Sequence, residues 1–280
     1  SAPVFNATVQ SVIFLENNQE IINFANHLAD IASEISKKYY RIENGEVAKD
    51  DDSPVTKADR EIEEKIREAI FANYPTHGII GEEFGNHQEN AEYLWIIDPI
   101  DGTSSFIVGR PIFGNLIALA VRQKVQLGII NQPINSERWI GIEGSGSWFN
   151  GTKIKTRNCQ KISQAVLSSS SPFFFKDFNQ EVFEKICTLT KYQKIGGVVY
   201  GGDCYAYGCL SSGFVDLIIE PELKVYDFAS HIPIIKNAGG VITDWDGNDL
   251  KLESNVRLVA SATPKLHEEV LKIINSLRSK

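Results

Sequence analysis

The chain has 280 residues, of which 42% are hydrophobic and 23% charged, with a formal net charge of −8. Those values suit a soluble globular protein of one large or two modest domains. The acid excess and the lack of a Lys/Arg cluster argue against nucleic acid or an anionic membrane as partner, and no 18-residue apolar run suggests a membrane span.

Residues 1–17 show no period and read as a loosely held arm ahead of a domain over 18–280. From Gln19 to Tyr40, Ile21, Ile22, Ala25, Leu28, Ala29, Ala32 and Ile35 recur at three- and four-residue steps, which predicts an amphipathic helix. Asn44-Gly45 and the acid run Asp50–Asp52 read as a turn and a solvated loop. A second helix is expected from Thr56, with Ile62, Ile66, Ala69 and Ile70 facing inward. Thr56 as N-cap with Asp59 three residues on approximates a capping box, a purely structural role for that acid.

Two short apolar stretches then end in acids. Gly78-Ile79-Ile80 leads to Gly81-Glu82-Glu83, and Leu94–Ile97 leads to Asp98-Pro99-Ile100-Asp101-Gly102-Thr103-Ser104. Such runs read as buried strands, with Pro99 expected to end the ladder. Asp-Pro and Asp-Gly are also ordinary turn pairs, so an acidic loop is the plain alternative. Two carboxylates on one rigid turn provide the oxygen ligands that Mg²⁺ requires. The helix start at Gly102-Thr103-Ser104 offers free N–H groups to a phosphate, and together these features point to metal-assisted phosphoryl hydrolysis.

Segments 115–121, 125–131 and 138–142 read as an antiparallel meander. Its Gly144-x-Gly146 lacks the third glycine and the helix of a nucleotide loop. Beyond Ile162 strands and helices alternate: a strand at 165–169, helices near 177–190 and 203–212, a strand at 215–219, a helix over 227–238, strands at 241–243 and 256–261, and a last helix opened by Pro264. Asp227 opens its helix, so an N-cap is its plain reading. Asp244–Asp249 has its glycine in the wrong place for an EF-hand and reads as a turn. Cys159, Cys187, Cys204 and Cys209 lack metal-type spacing and suggest thiols in a reducing cytosol; with nothing like a signal peptide in view, a cytoplasmic protein is expected.

Gly81-Glu82-Glu83, Asp98–Thr103 and Tyr226-Asp227-Phe228-Ala229 together resemble the inositol monophosphatase family, from about residue 20 to the C-terminus. Gly202–Gly208 and Leu223–Asp227 look like its histidinol-phosphate phosphatase branch. The resemblance implies a layered α-β-α-β-α sandwich, with an α+β part over about 18–155 and an α/β part over about 156–280. It also implies a lithium-sensitive, Mg²⁺-dependent phosphatase with about two or three ions per site, a small phosphorylated alcohol as substrate and a homodimer. Glu82, Asp98 and the Ile100 carbonyl would hold one ion; Asp98, Asp101 and Asp227 a second. Thr103, oriented by Asp59, and Glu82 would position or deprotonate the attacking water. Gly102, Thr103 and Ser104 would bind phosphate oxygens, and no covalent phosphoenzyme is expected. Asp203, Glu220 and Glu222 are candidate substrate contacts. An Arg found before the aromatic-Gly segment in many bacterial members of the branch is replaced here by Val199-Tyr200-Gly201-Gly202. Inositol phosphate is therefore the alternative substrate, and a metal-dependent binding protein without turnover the non-enzymatic reading.

Overall fold

The structure, a computed structural model, describes residues 19–42, 53–191 and 197–279. The expected arm over 1–17, the Asn44-Gly45 turn and the acid run at 50–52 lie outside the described residues.

Helix α1 (Gln19–Tyr39) buries the apolar face its periodicity predicts. Helix α2 (Pro54–Asn73) starts earlier than expected. Its N-cap is Ser53, whose Oγ accepts from the Thr56 N–H at 3.2 Å. Ser-Pro is a stronger opening than Thr56, because serine caps well and proline is pre-set for the first turn. Asp59 therefore stands in the second turn and plays no part in capping.

Eight strands follow: β1 (Gly78–Gly81), β2 (Gly85–His87), β3 (Tyr93–Asp101), β4 (Gly114–Val121), β5 (Lys124–Gln132), β6 (Glu137–Ile142), β7 (Gly146–Phe149) and β8 (Thr152–Lys153). They form one sheet in the order β2-β1-β3-β4-β5-β6-β7-β8, with β1 parallel to β3 and the other pairs antiparallel. The Gly144–Gly146 turn feeds β7, so the meander is longer than its apolar runs indicate.

The second sheet takes β9 (Leu167–Ser169), β10 (Val198–Tyr200), β11 (Leu217–Leu223), β12 (Val241–Asp244) and β13 (Val256–Ser261) in the order β10-β9-β11-β13-β12. Among the described residues, six further α-helices follow: α3 (Thr103–Ile107), α4 (Phe178–Leu189), α5 (Cys204–Ser211), α6 (Val225–Phe228), α7 (His231–Asn237) and α8 (Pro264–Arg278). The single helix expected over 227–238 is two pieces. Pro233 has no N–H, and its ring would strike the Ala229 carbonyl in a continuous helix, so the ladder breaks between α6 and α7.

Alternation along the strands separates three cores. Trp95 and Ile97 face α1 and α2, whereas Leu94 and Ile96 face the opposite way, toward α5, α7 and the second sheet. The far side of that sheet packs Leu217, Ile219 and Val259 against α4 and α8. The result is an α-β-α-β-α sandwich. Helix α7 lies directly on the first sheet because Gly128 and Gly141 have no side chain. A Cβ on Gly128 would fall 2.0 Å from the Ser230 carbonyl oxygen, and one on Gly141 2.4 Å from the Ile234 nitrogen.

Candidate active site and metal centre

Asp98 and Asp101 are three residues apart, so a regular strand would turn them to opposite faces. The structure brings them together with a bulge. Asp98 pairs with Leu116 and Asp101 with Gly114, which leaves one extra residue on β3 between them. Pro99 thus does not end the strand. Its missing N–H is absorbed by the bulge, and its carbonyl accepts from Asn115 Nδ2 at 2.7 Å. Asp227 arrives from α6, where its Oδ2 accepts from the Lys224 N–H at 2.8 Å. Each of Asp98, Asp101 and Asp227 offers one carboxylate oxygen within 4.8 Å of the others.

Asp98 lacks the donors that a buried carboxylate normally has. Asp98 is 2% exposed and its Oδ1 has no hydrogen-bond partner. Its carboxyl is within hydrogen-bond reach of both Glu82 and Asp227. Burial, then the charges of Asp101, Glu82 and Asp227, push the Asp98 carboxyl well above the usual range. Burial, then Asp227 and Asp203, do the same to Asp101, although the Cys204 N–H donates to it at 2.8 Å. Glu82 and Asp227 are also raised, burial being the first cause in each. An oxygen-only donor set with an unpartnered oxygen and crowded like charges fits a hard divalent cation.

The other expected residues divide. Asp59 borders the cluster, accepts from the Ile100 N–H, and leaves its Oδ1 buried and unpartnered; burial, then Glu83 and Glu82, push it up to about 9. Thr103 is exposed and makes no hydrogen bond to Asp59 in this structure. Gly102 takes φ +80, a conformation that suits glycine, and turns the chain into α3, whose first-turn N–H groups have no intrahelical partner. A Cβ at Gly102 would meet Asp203 Oδ2 at 3.2 Å, so that carboxylate lies against the turn. Ser104 is exposed on α3. Glu220 is 3% exposed, and its Oε1 accepts from both the N–H and the Oγ of Ser170, at 2.9 and 2.7 Å. Burial raises it to about 8. Glu222 is exposed and 3.8 Å from Lys224. Strand alternation would put it beside Glu220, but the ladder of β11 shifts register between Glu220 and Leu223.

Sequence reading missed Cys204, Tyr207 and Glu63. The Cys204 N–H holds Asp101, and the buried Tyr207 hydroxyl is unpartnered near the acids, its ring stacked on His231 at 4.0 Å. Glu63 follows Asp59 by four residues, the spacing that puts two side chains on one helix face. That spacing was the available signal.

A layered sandwich with a carboxylate cluster at the end of a bulged strand defines a candidate metal-centred hydrolase. The inositol monophosphatase family model matches residues 17–279, and the chain belongs to that family of phosphomonoesterases. It is 44% identical to the bifunctional phosphatase IMPL2, chloroplastic, of Arabidopsis thaliana, covering 91% of this chain and 76% of that protein. It is 36% identical to the histidinol-phosphatase of Chlorobaculum parvum, covering 81% and 86%. An inositol monophosphatase structure from Zymomonas mobilis superposes with a TM-score of 0.85 at 40% identity, over 92% of this chain and 98% of that one. Among the described residues, no helix is long and apolar enough to cross a membrane.

Proposed function

We propose that this phosphomonoesterase hydrolyses L-histidinol phosphate with the help of Mg²⁺. The observation that carries the metal-dependent reading is the trio Asp98, Asp101 and Asp227, within 4.8 Å and with a buried oxygen unpartnered. These residues and Glu82 would hold the cation. Once bound, it supplies Lewis-acid polarisation of the phosphoryl group and makes water a better nucleophile near neutral pH.

The chain's own groups divide the remaining work. Free N–H groups of Gly102 and Thr103, at the start of α3, would hold phosphoryl oxygens as charge builds on them. The Thr103 hydroxyl and the Glu82 carboxylate are the groups that would orient the attacking water and accept its proton. Asp59 borders the same space and accepts from Ile100 on the β3 bulge, which fixes the backbone between Asp98 and Asp101. Water adds to phosphorus in line while the phosphorus–oxygen bond to the alcohol breaks. No side chain is phosphorylated.

Asp203 supports histidinol phosphate as the substrate, whereas Glu220 suits either ester. Both are acids near the cluster, and histidinol carries an ammonium and an imidazole that acids recognise. The histidinol-phosphatase relative favours the same substrate. The 40% identical inositol monophosphatase structure favours myo-inositol 1-phosphate as a second reading, because hydroxyls can also donate to Glu220. Phosphate release from the two esters, with Mg²⁺ and with chelator and lithium controls, separates them. A preference for histidinol phosphate of about 100-fold, or about 2.7 kcal/mol in transition-state binding, is expected. The reverse preference would replace the first reading by the second.

A further inference from the structure

We propose that Glu63 on α2 is a positioning residue that sets the direction of Glu82, and that with Arg67 it tunes cation affinity. The proposal rests on the reading of the acid cluster as a cation site. Glu63 is fully buried on a helix whose inward residues are otherwise mostly apolar, Ile62, Ile66 and Ile70 among them. It reaches across to the three-residue turn, Glu82 to Phe84, that joins β1 to β2. Its Oε1 accepts from the Glu83 N–H at 2.9 Å and its Oε2 from the Phe84 N–H at 2.8 Å. Arg67 Nε donates to the same Oε2 at 3.0 Å, and Arg67 Nη2 donates to the Gly85 carbonyl. One ion pair on a neighbouring helix therefore holds two N–H groups and one carbonyl of the turn that carries Glu82.

The fit leaves no slack. A Cβ on Gly81 would lie 2.6 Å from the Glu63 carboxyl, so a side chain there would push the acid out of place. Glu82 is exposed as a whole residue, and from this turn its carboxyl reaches the carboxyl of Asp98. Its aim is set by the backbone, and Glu63 holds that backbone. A buried ion pair is weak as a stabilising device, since apolar replacements often match it. It is effective for orientation, as partners behind a metal ligand commonly change affinity by about 10- to 100-fold.

Glutamine at position 63 keeps one acceptor and turns an NH₂ toward donors, so at least one of the three contacts is lost. The test uses the full chain, with Mg²⁺ affinity measured by isothermal titration calorimetry beside phosphate release. For Glu63→Gln, the Mg²⁺ dissociation constant and the Mg²⁺ concentration for half-maximal activity should both rise about 10- to 100-fold. kcat at saturating Mg²⁺ should stay within about threefold, because excess cation restores the geometry. A folded variant with an unchanged dissociation constant overturns the proposal, as does a fall in kcat with affinity intact. If Glu63→Gln does not fold, Arg67→Lys takes its place. Lysine keeps the charge but has no fork to span Glu63 and Gly85, and a loss of about 3- to 10-fold is expected; no loss again overturns the proposal. Failure of the underlying reading has its own signature. Wild-type protein would bind no Mg²⁺, or Asp98→Asn would bind it equally well, and the role of Glu63 would fall with it.

Discussion

Asp98 and Asp216 are both aspartates almost wholly removed from water, at 2% and 0% exposure, yet their surroundings are opposites. Asp216, at the entry to β11, accepts from Arg157 Nε at 2.9 Å, from Arg157 Nη2 and from the Val166 N–H at 2.8 Å. It ties the segment after the first sheet to the start of the second. Asp98 faces three other acids and keeps an oxygen with no partner. A buried acid supplied with donors serves the fold; one surrounded by like charge works against the fold and is explained by a ligand. Glu63 shows that the two kinds can be joined, since its donors are complete and belong to the turn that carries Glu82.

Exchanging carboxylates for neutral groups should split the two regions cleanly. Asp98→Asn should lower phosphate release by about a thousandfold or more, because it removes the most central acid of the cluster. The cation-free variant should melt at or above the wild-type temperature, since a buried like charge has gone. A melt well below wild type would assign Asp98 to the fold and collapse the comparison. Asp216→Ala should do the reverse. Loss of a buried acid with three donors should cost about 3 kcal/mol in urea unfolding, discounted for an Arg157 side chain that is partly exposed. kcat/KM of the folded protein should stay within about threefold, and a large loss would make Asp216 part of the site.

The acids of the cluster were readable from the sequence because they cluster at the ends of apolar runs, with Asp227 added by the resemblance. The device that assembles them was not. A bulge is a property of pairing between β3 and β4, and nothing in Asp-Pro-Ile-Asp announces that both acids will share a face. The same reason hid where Glu222 would stand, since its position follows from a register shift against β13. Local chemistry accounts for the other differences. Ser53-Pro54 outcompeted Thr56 as a helix start, and Pro233 divided a helix whose apolar period is unbroken. Glu63 was hidden because a buried acid inside an amphipathic helix looks like part of its solvated face until the turn it supports is known.

The comparison also predicts two opposite responses to pH. The cluster carboxyls are raised in the cation-free fold, so what they contribute is present below their unfolded values near 4 and lost as pH rises through their folded values. Cation-free protein should therefore lose stability as pH rises above about 4, and Mg²⁺ should restore it. On the acid side the control is a satisfied group, His267 on α8, which contacts Thr243 of β12 and Ser261 of β13. Its Nε2 meets Thr243 Oγ1 at 2.7 Å and its Nδ1 meets Ser261 Oγ at 2.8 Å. The Thr243 hydroxyl already donates to the Asp244 carbonyl, so Nε2 carries the ring proton and Nδ1 accepts from Ser261. Burial pushes this histidine down to about 4, below its usual 6.5. Protonation favours the unfolded chain, so the neutral ring's stabilisation is intact above pH 6.5 and falls away as pH drops toward 4, by about 2 to 3 kcal/mol. His231, pushed down to about 3 by burial, adds a similar slope that also begins at its unfolded 6.5 and continues below pH 4. His267→Gln should roughly halve the slope of the acid limb between pH 6.5 and 4 in urea titrations, His231 supplying the rest, and leave the alkaline limb unchanged. An acid limb that the substitution does not reduce would move this sensitivity wholly to His231 or the carboxylates. An alkaline limb that Mg²⁺ does not reverse would separate the crowding of Asp98, Asp101 and Asp227 from cation binding.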